Sequence, residues 1–183
     1  MRRRRIARPR RGAATLELIL AVPILLIVLV FSIQFGVAAI YQATVVHSAT
    51  VAAREAGKGI DLEAVADAVN MVLGIHGIEI SETTAGAKVI LDWYAVPPDP
   101  GDPPGEFLLE YGDESLGCGH PDVELDCRQV RVTVCVAPSA TNFCGSLCKA
   151  LKPFGVSFEN RMFKASSLVV QEVEQDACTG CGL

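Results

Sequence analysis

Arg11-Gly12-Ala13-Ala14-Thr15-Leu16-Glu17 joins two very different stretches of this 183-residue chain. Before it lie Arg2, Arg3, Arg4, Arg5, Arg8 and Arg10; after it come 23 residues, Leu18 to Ile40, without a single charge. As a helix at 1.5 Å per residue that run spans about 34 Å, enough to cross a bilayer with modest tilt. Ser32 and Gln34 are its strongly polar members, and Pro23 predicts a slight kink, which membrane helices tolerate. A charge jump, a small flexible glycine and one carboxylate thus sit together at a membrane edge.

The net charge of -5 conceals an asymmetry. The first 12 residues hold seven arginines and no acid, so the nine other basic side chains face all 21 acids, a balance of -12. A nucleic-acid-binding face needs positive charge spread over the folded part. Here the arginines adjoin the apolar run, which fits retention of the N-terminus in the cytoplasm by the positive-inside rule and argues against a nucleic-acid partner. A secretory signal peptide has a shorter apolar core, although Val37-Ala38-Ala39 offers it a small-residue cleavage site; an unprocessed signal anchor is the stronger rival.

Glu17 separates these readings. A carboxylate entering hydrocarbon is costly unless it stays at the headgroups or finds a partner. Cutting between Gly12 and Ala13 would create an ammonium group four residues before Glu17, and in a low-dielectric setting the two charges can neutralise each other within one chain or between neighbours.

A basic leader, a glycine, a glutamate five residues later and a hydrophobic helix form the pattern of prepilins of the type IV pilus and type II secretion group. The fuller run Gly12-Ala13-Ala14-Thr15-Leu16-Glu17-Leu18-Ile19-Leu20-Ala21-Val22-Pro23, with Gln34-Phe35-Gly36 and Ala52-Ala53-Arg54-Glu55-Ala56-Gly57, resembles the TadE-like pseudopilins of the tight-adherence (Flp pilus) system. Gln34 stands where an acid is common in that family. Leu151-Lys152-Pro153-Phe154-Gly155 and Lys164-Ala165-Ser166-Ser167 are loosely similar to its late segment. The resemblance implies a minor structural subunit of a bacterial adhesion pilus or its assembly machine, cut after Gly12 on the cytoplasmic face by a prepilin peptidase. Ala13 becomes the new N-terminus and Glu17 the assembly contact. It also implies a single pass through the inner membrane with the C-terminal part periplasmic, and as partners the peptidase, other pilins and the membrane assembly platform. The alternative is a signal-anchored periplasmic binding domain with no pilus role.

Three segments follow from this division: residues 1–12 as leader, 13–57 as transmembrane and stem helix, and 58–183 as an α+β domain. Tyr41 to Ala56, free of Pro and Gly, continues the helix, which Gly57 and Gly59 end. Ser32 and Gly36, and Ala39 and Ala43, lie four apart, a spacing that lets membrane helices approach closely. In Asp61 to Leu73 the apolar residues Leu62, Val65, Ala66, Val69 and Leu73 recur at helical steps, closed by Gly74 and Gly77. His76 in that turn reads as a surface residue.

Strand patterns occupy Lys88 to Ala95, Arg128 to Val136 and Phe163 to Glu174, with a short edge strand at Phe107 to Tyr111. In the second of these, Val130, Val132, Val134 and Val136 alternate with Gln129, Arg131, Thr133 and Cys135. The proline-rich stretch Val96 to Gly105 predicts an exposed loop, and Asn142 to Lys152 a short helix. The expected architecture is helices packed on one face of an antiparallel sheet of three or four strands.

Cys118, Cys127, Cys135, Cys144, Cys148, Cys178 and Cys181 all follow residue 117 and point to disulfides in an oxidising compartment. Cys118 and Cys127 form the most local pair. Cys144 and Cys148, one helical turn apart, are too distant for each other and look to Cys135 or the Cys178–Cys181 tail. A zinc site from Cys118, His120, Cys178 and Cys181 is the rival, on a weak pattern. Asp122, Glu124 and Asp126 alternate, but Cys127 and Thr133 stand where a calcium loop needs Gly and Glu, so a solvated acidic surface is favoured. With three scattered histidines, no nucleophile elbow and no phosphate-cradling glycine loop, no catalytic constellation emerges, and no cofactor or metal is expected.

Overall fold

A computed structural model describes residues 11–95, 105–119, 125–126, 129–138 and 161–171. The leader up to Arg10, the proline-rich loop 96–104, the 142–152 helix and Cys127, Cys144, Cys148, Cys178 and Cys181 lie outside them, as does the 172–174 end of the last strand candidate. By its contacts the chain divides into Met1–Ala38 and Ala39–Leu183.

Helix α1, Arg11–Lys58, runs unbroken through Pro23 and across the expected stem. Its later part buries Tyr41, Val45, Ser48, Ala49, Ala52, Ala53 and Ala56, positions three and four apart that form one face. Four alanines there keep the helix thin enough to lie close on its neighbour. The Ser48 hydroxyl, also buried, donates to the carbonyl of Val45 at 2.9 Å, so no polar group is stranded in the contact.

Helix α2, Leu62–Leu73, starts at Asp61, whose carboxylate accepts from the amide of Glu63 at 3.0 Å, and buries Val65, Ala66, Val69 and Leu73 as the periodicity predicts. It continues as a 3-10 turn, Gly74–His76, and Gly77 at φ 67° reverses the chain in a conformation that glycine adopts without strain. His76 is half-buried rather than on the open surface. Asn70 then fastens the returning chain, its side-chain amide donating to the carbonyl of Ile80 at 3.0 Å and its oxygen accepting the Ile80 amide at 2.7 Å.

Four antiparallel strands follow, β1 (Ala87–Ala95), β2 (Gly105–Gly112), β3 (Gln129–Val136) and β4 (Phe163–Val170), in the order β2-β1-β3-β4. The register places Val89 opposite Val134 and Leu91 opposite Val132, with Ala165 and Ser167 next along these rows on β4. Tyr41 stacks on Phe163 with ring centroids 5.3 Å apart, and a side chain at Gly57 would meet Val169. Phe163 and Val169 share the face of Val136 and Val130, so the outer part of α1 covers the valine face and runs along β4.

The other face of β3 departs from the expectation of simple alternation. Arg131, Thr133 and Cys135 are as buried as the valines. Each is matched within the sheet: Arg131 Nε donates to Asp92 Oδ2 at 2.9 Å across the β1–β3 pair, and the Thr133 and Ser166 hydroxyls meet at 2.9 Å across β3–β4. Cys135 joins Ile90, Cys118 and Leu116 in a small apolar cluster. Polar residues there report cross-strand pairing, not contact with water.

Candidate functional site

The segment that stands out chemically is the first part of α1. Leu16, Leu18, Ile19, Leu20, Leu25 and Phe31 are each more than half exposed, and Phe35 is 80% exposed. None of the most apolar 18-residue window is buried within the protein. A soluble monomer rarely exposes an apolar patch beyond a few hundred Å², and this one is continuous along the helix, so it must be covered by lipid or by other chains. Within it the Ser32 hydroxyl donates back to the carbonyl of Val28 at 2.8 Å, which satisfies the polar group inside the helix itself. Ser32, Gly36, Ala39 and Ala43 are exposed, and a side chain at Gly36 would touch nothing within 4 Å. The small-residue stripe is thus not consumed by packing among the described residues.

Gly12 and Ala13 lie on the helical backbone, and Glu17 is exposed. Helical geometry brings positions 13 and 17 to the same face one turn apart.

The cysteines are brought together differently from the local pairing. Cys118 is bonded to Cys135, 17 residues on, with Cα atoms 6.3 Å apart. Cys127 is therefore not the partner of Cys118, because β3 carries Cys135 onto the face where Cys118 arrives after β2. The same bond removes the Cys118 sulfur from any zinc site with His120, Cys178 and Cys181. Asp126 is held by Gln129, which donates to its carboxylate at 2.9 Å, and Asp122 and Glu124 lie outside the described residues.

One polar constellation is hidden in the sequence. Lys88 is buried and pairs with Glu110 at 2.6 Å across the β1–β2 pair. Just beyond, Asp113 accepts from the Ser115 hydroxyl at 2.6 Å, the Gly86 amide at 2.7 Å and the Ser115 amide at 2.9 Å, tying the end of β2 to the start of β1. The Ser115 hydroxyl, then the Gly86 amide, hold the Asp113 carboxyl below its ordinary value of 3.8. A carboxylate depressed in the folded state contributes stability that is present above the unfolded value and lost as pH falls through the folded one. Asp113→Asn is therefore expected to be less stable than the parent at neutral pH, with the deficit shrinking as pH drops below 3.8, as read by urea titrations at several pH values. The Asp-x-Ser order at 113–115 is the only sequence signal for this turn.

The described residues thus define a chain with one helix long and apolar enough to cross a membrane, leading into an α+β unit. Residues 12–54 match the family model described as TadE-like protein, a similarity that falls on the Gly12-to-Gly57 motifs expected to carry it. The match covers most of α1 and none of the sheet. No curated protein and no solved structure matches the chain.

Proposed function

We propose that the chain is a minor pilin-like subunit of a tight-adherence pilus or of its assembly machine, and a structural protein rather than an enzyme. The observation that carries this reading is the coincidence of the TadE-like match over residues 12–54 with one continuous helix whose apolar side chains are uncovered. The leader stays in the cytoplasm, α1 crosses the inner membrane once, and the sheet lies in the periplasm, where the Cys118–Cys135 bond is chemically at home. A prepilin peptidase cuts between Gly12 and Ala13. The new ammonium of Ala13 and the carboxylate of Glu17 then neutralise each other, within one subunit or between neighbours, and the pairing between neighbours registers each helix against the next. The remaining partners are other pilins, through the exposed face of α1, and the membrane platform that assembles them.

Two substitutions test this together. Gly12→Ala adds a methyl group at the bond the peptidase must reach and is expected to leave most of the chain at full length. Glu17→Val leaves that bond untouched and is expected to be cut normally while recovery of the subunit in assembled complexes falls. Normal cutting of the glycine variant, or normal assembly of the glutamate variant, contradicts the respective half.

A further inference from the structure

The two outer strands of the sheet complement each other. Among the described strands neither β2 nor β4 has a neighbour on its outer side, so each presents a row of backbone donors and acceptors. On β2, Phe107, Leu108 and Leu109 are exposed in succession, showing that both faces of this strand extend beyond the layers that cover β1 and β3. On β4, Leu168 and Val170 are exposed, with Met162 just before the strand. Soluble proteins blunt such edges with lysine, proline or a bulge, and β2 has none of these. The charges are also opposite: residues 105–115 carry Glu106 and Glu114, beside Glu110 that pairs with Lys88 and Asp113 that binds Gly86 and Ser115, and no base, whereas 161–171 carry Arg161 and Lys164, the latter also donating to the Gly119 carbonyl, and no acid.

The strand directions and register turn this complementarity into a geometry. Each neighbour in the order β2-β1-β3-β4 is antiparallel, so β4 runs opposite to β2. A second copy in the same orientation beside the β2 edge therefore offers its β4 in the antiparallel sense. Across the sheet, one row reads Phe107, Trp93, Val130, Val169 and the next Leu108, Asp92, Arg131, Leu168. Continuing these rows into the next copy sets Phe107 against the partly buried Val169 and Leu108 against Leu168, covering exposed Phe107 on one face and exposed Leu108 and Leu168 on the other.

We infer that β2 of one copy pairs with β4 of another, so that one sheet runs through successive subunits of this chain. The rival self-pairing, β2 against β2 about a two-fold axis, reverses the second copy within the plane of the sheet. It also sets one acidic strand against another, with Glu106 and Glu110 of each copy meeting like charges, which the β2–β4 contact avoids. Being heterologous, this contact leaves a free edge at each end and propagates into a line of subunits rather than closing as a dimer.

The test uses the full-length chain in its native membrane, with a photoreactive p-benzoylphenylalanine replacing Leu108. Illumination is expected to give adducts of two and more copies, in which peptide mapping joins residues 105–112 to 163–170. With the probe moved to Leu109, Leu108→Lys is expected to reduce those adducts about tenfold, and adding Leu168→Glu to restore them by placing opposite charges across the contact. Adducts joining β2 to β2, adducts to a different protein alone, or no adducts in a membrane-inserted chain overturn the strand pairing. The N-terminus is determined on the same sample: a cut but uncrosslinked chain overturns this inference alone, and a crosslinked but uncut chain overturns the processing alone.

Discussion

Arg131→Met is expected to destabilise the α+β unit by about 3–5 kcal/mol, the usual consequence of removing one partner from a buried ion pair. Arg131 and Asp92 have side chains only 5% and 4% exposed and sit directly opposite on β3 and β1. Their Coulomb attraction offsets the cost of taking both out of water, but truncating the arginine leaves the carboxylate buried without it. Removing both charges is a different matter, because apolar residues of similar size can fill the space without a desolvation penalty. Arg131→Met combined with Asp92→Leu is thus expected to recover most of the loss. Urea unfolding of the full chain in detergent reads both, with the single tryptophan, Trp93, as a probe next to Asp92 and stacked 5.7 Å from Phe107. A single variant as stable as the parent, or a double variant no better than the single, would show that the pair does not hold the centre of the sheet.

Gly112→Ala is the second large effect, expected to cost about 3 kcal/mol through two separate terms, backbone strain and overpacking. Gly112 closes β2 at φ 112°, a conformation that side chains rarely adopt. A Cβ there would lie 2.5 Å from the carbonyl oxygen of Ala87 and 2.9 Å from the Ile80 side chain. Neither can retreat easily: the Ala87 carbonyl accepts from the amide of Asp113, and the Ile80 backbone is clamped by Asn70. Gly36→Ala makes a matched control, since its Cβ meets nothing within 4 Å and the helix gains propensity. Equal stability of the Gly112 variant and the parent would mean that the β2 end relaxes around the added methyl.

What could be read in advance follows from the range over which each signal acts. The apolar run of α1, the Asp61 start and periodic stripe of α2, and the strands at 87–95, 129–136 and 163–170 are local patterns, and the structure places them within a few residues of their expected bounds. The edge strand expected at Phe107 to Tyr111 extends to Gly105–Gly112 because it pairs along nearly the whole of β1. Missed features depend on which distant residues the fold brings together. Cys118 looked nearest to Cys127 along the chain, but β3 brings Cys135 to it. Asp92 and Arg131 are 39 residues apart, and only cross-strand pairing explains why both sit in the interior. Asn70 of α2 serves as the backbone partner of Ile80 because the turn at Gly77 folds the chain back, which the apolar stripe of α2 alone does not show. At the candidate processing end the situation is reversed: the Gly12-to-Glu17 order is entirely local, and helical structure adds that positions 13 and 17 share a face.

Mass spectrometry of the N-terminus of the protein taken from its native membrane tests the central proposal most directly. The expected product is a chain that begins at Ala13, with the arginine-rich leader removed and Glu17 four residues from the new ammonium group. A chain that retains the leader through Gly12, or one that begins near Ile40 after loss of the apolar helix, would contradict it.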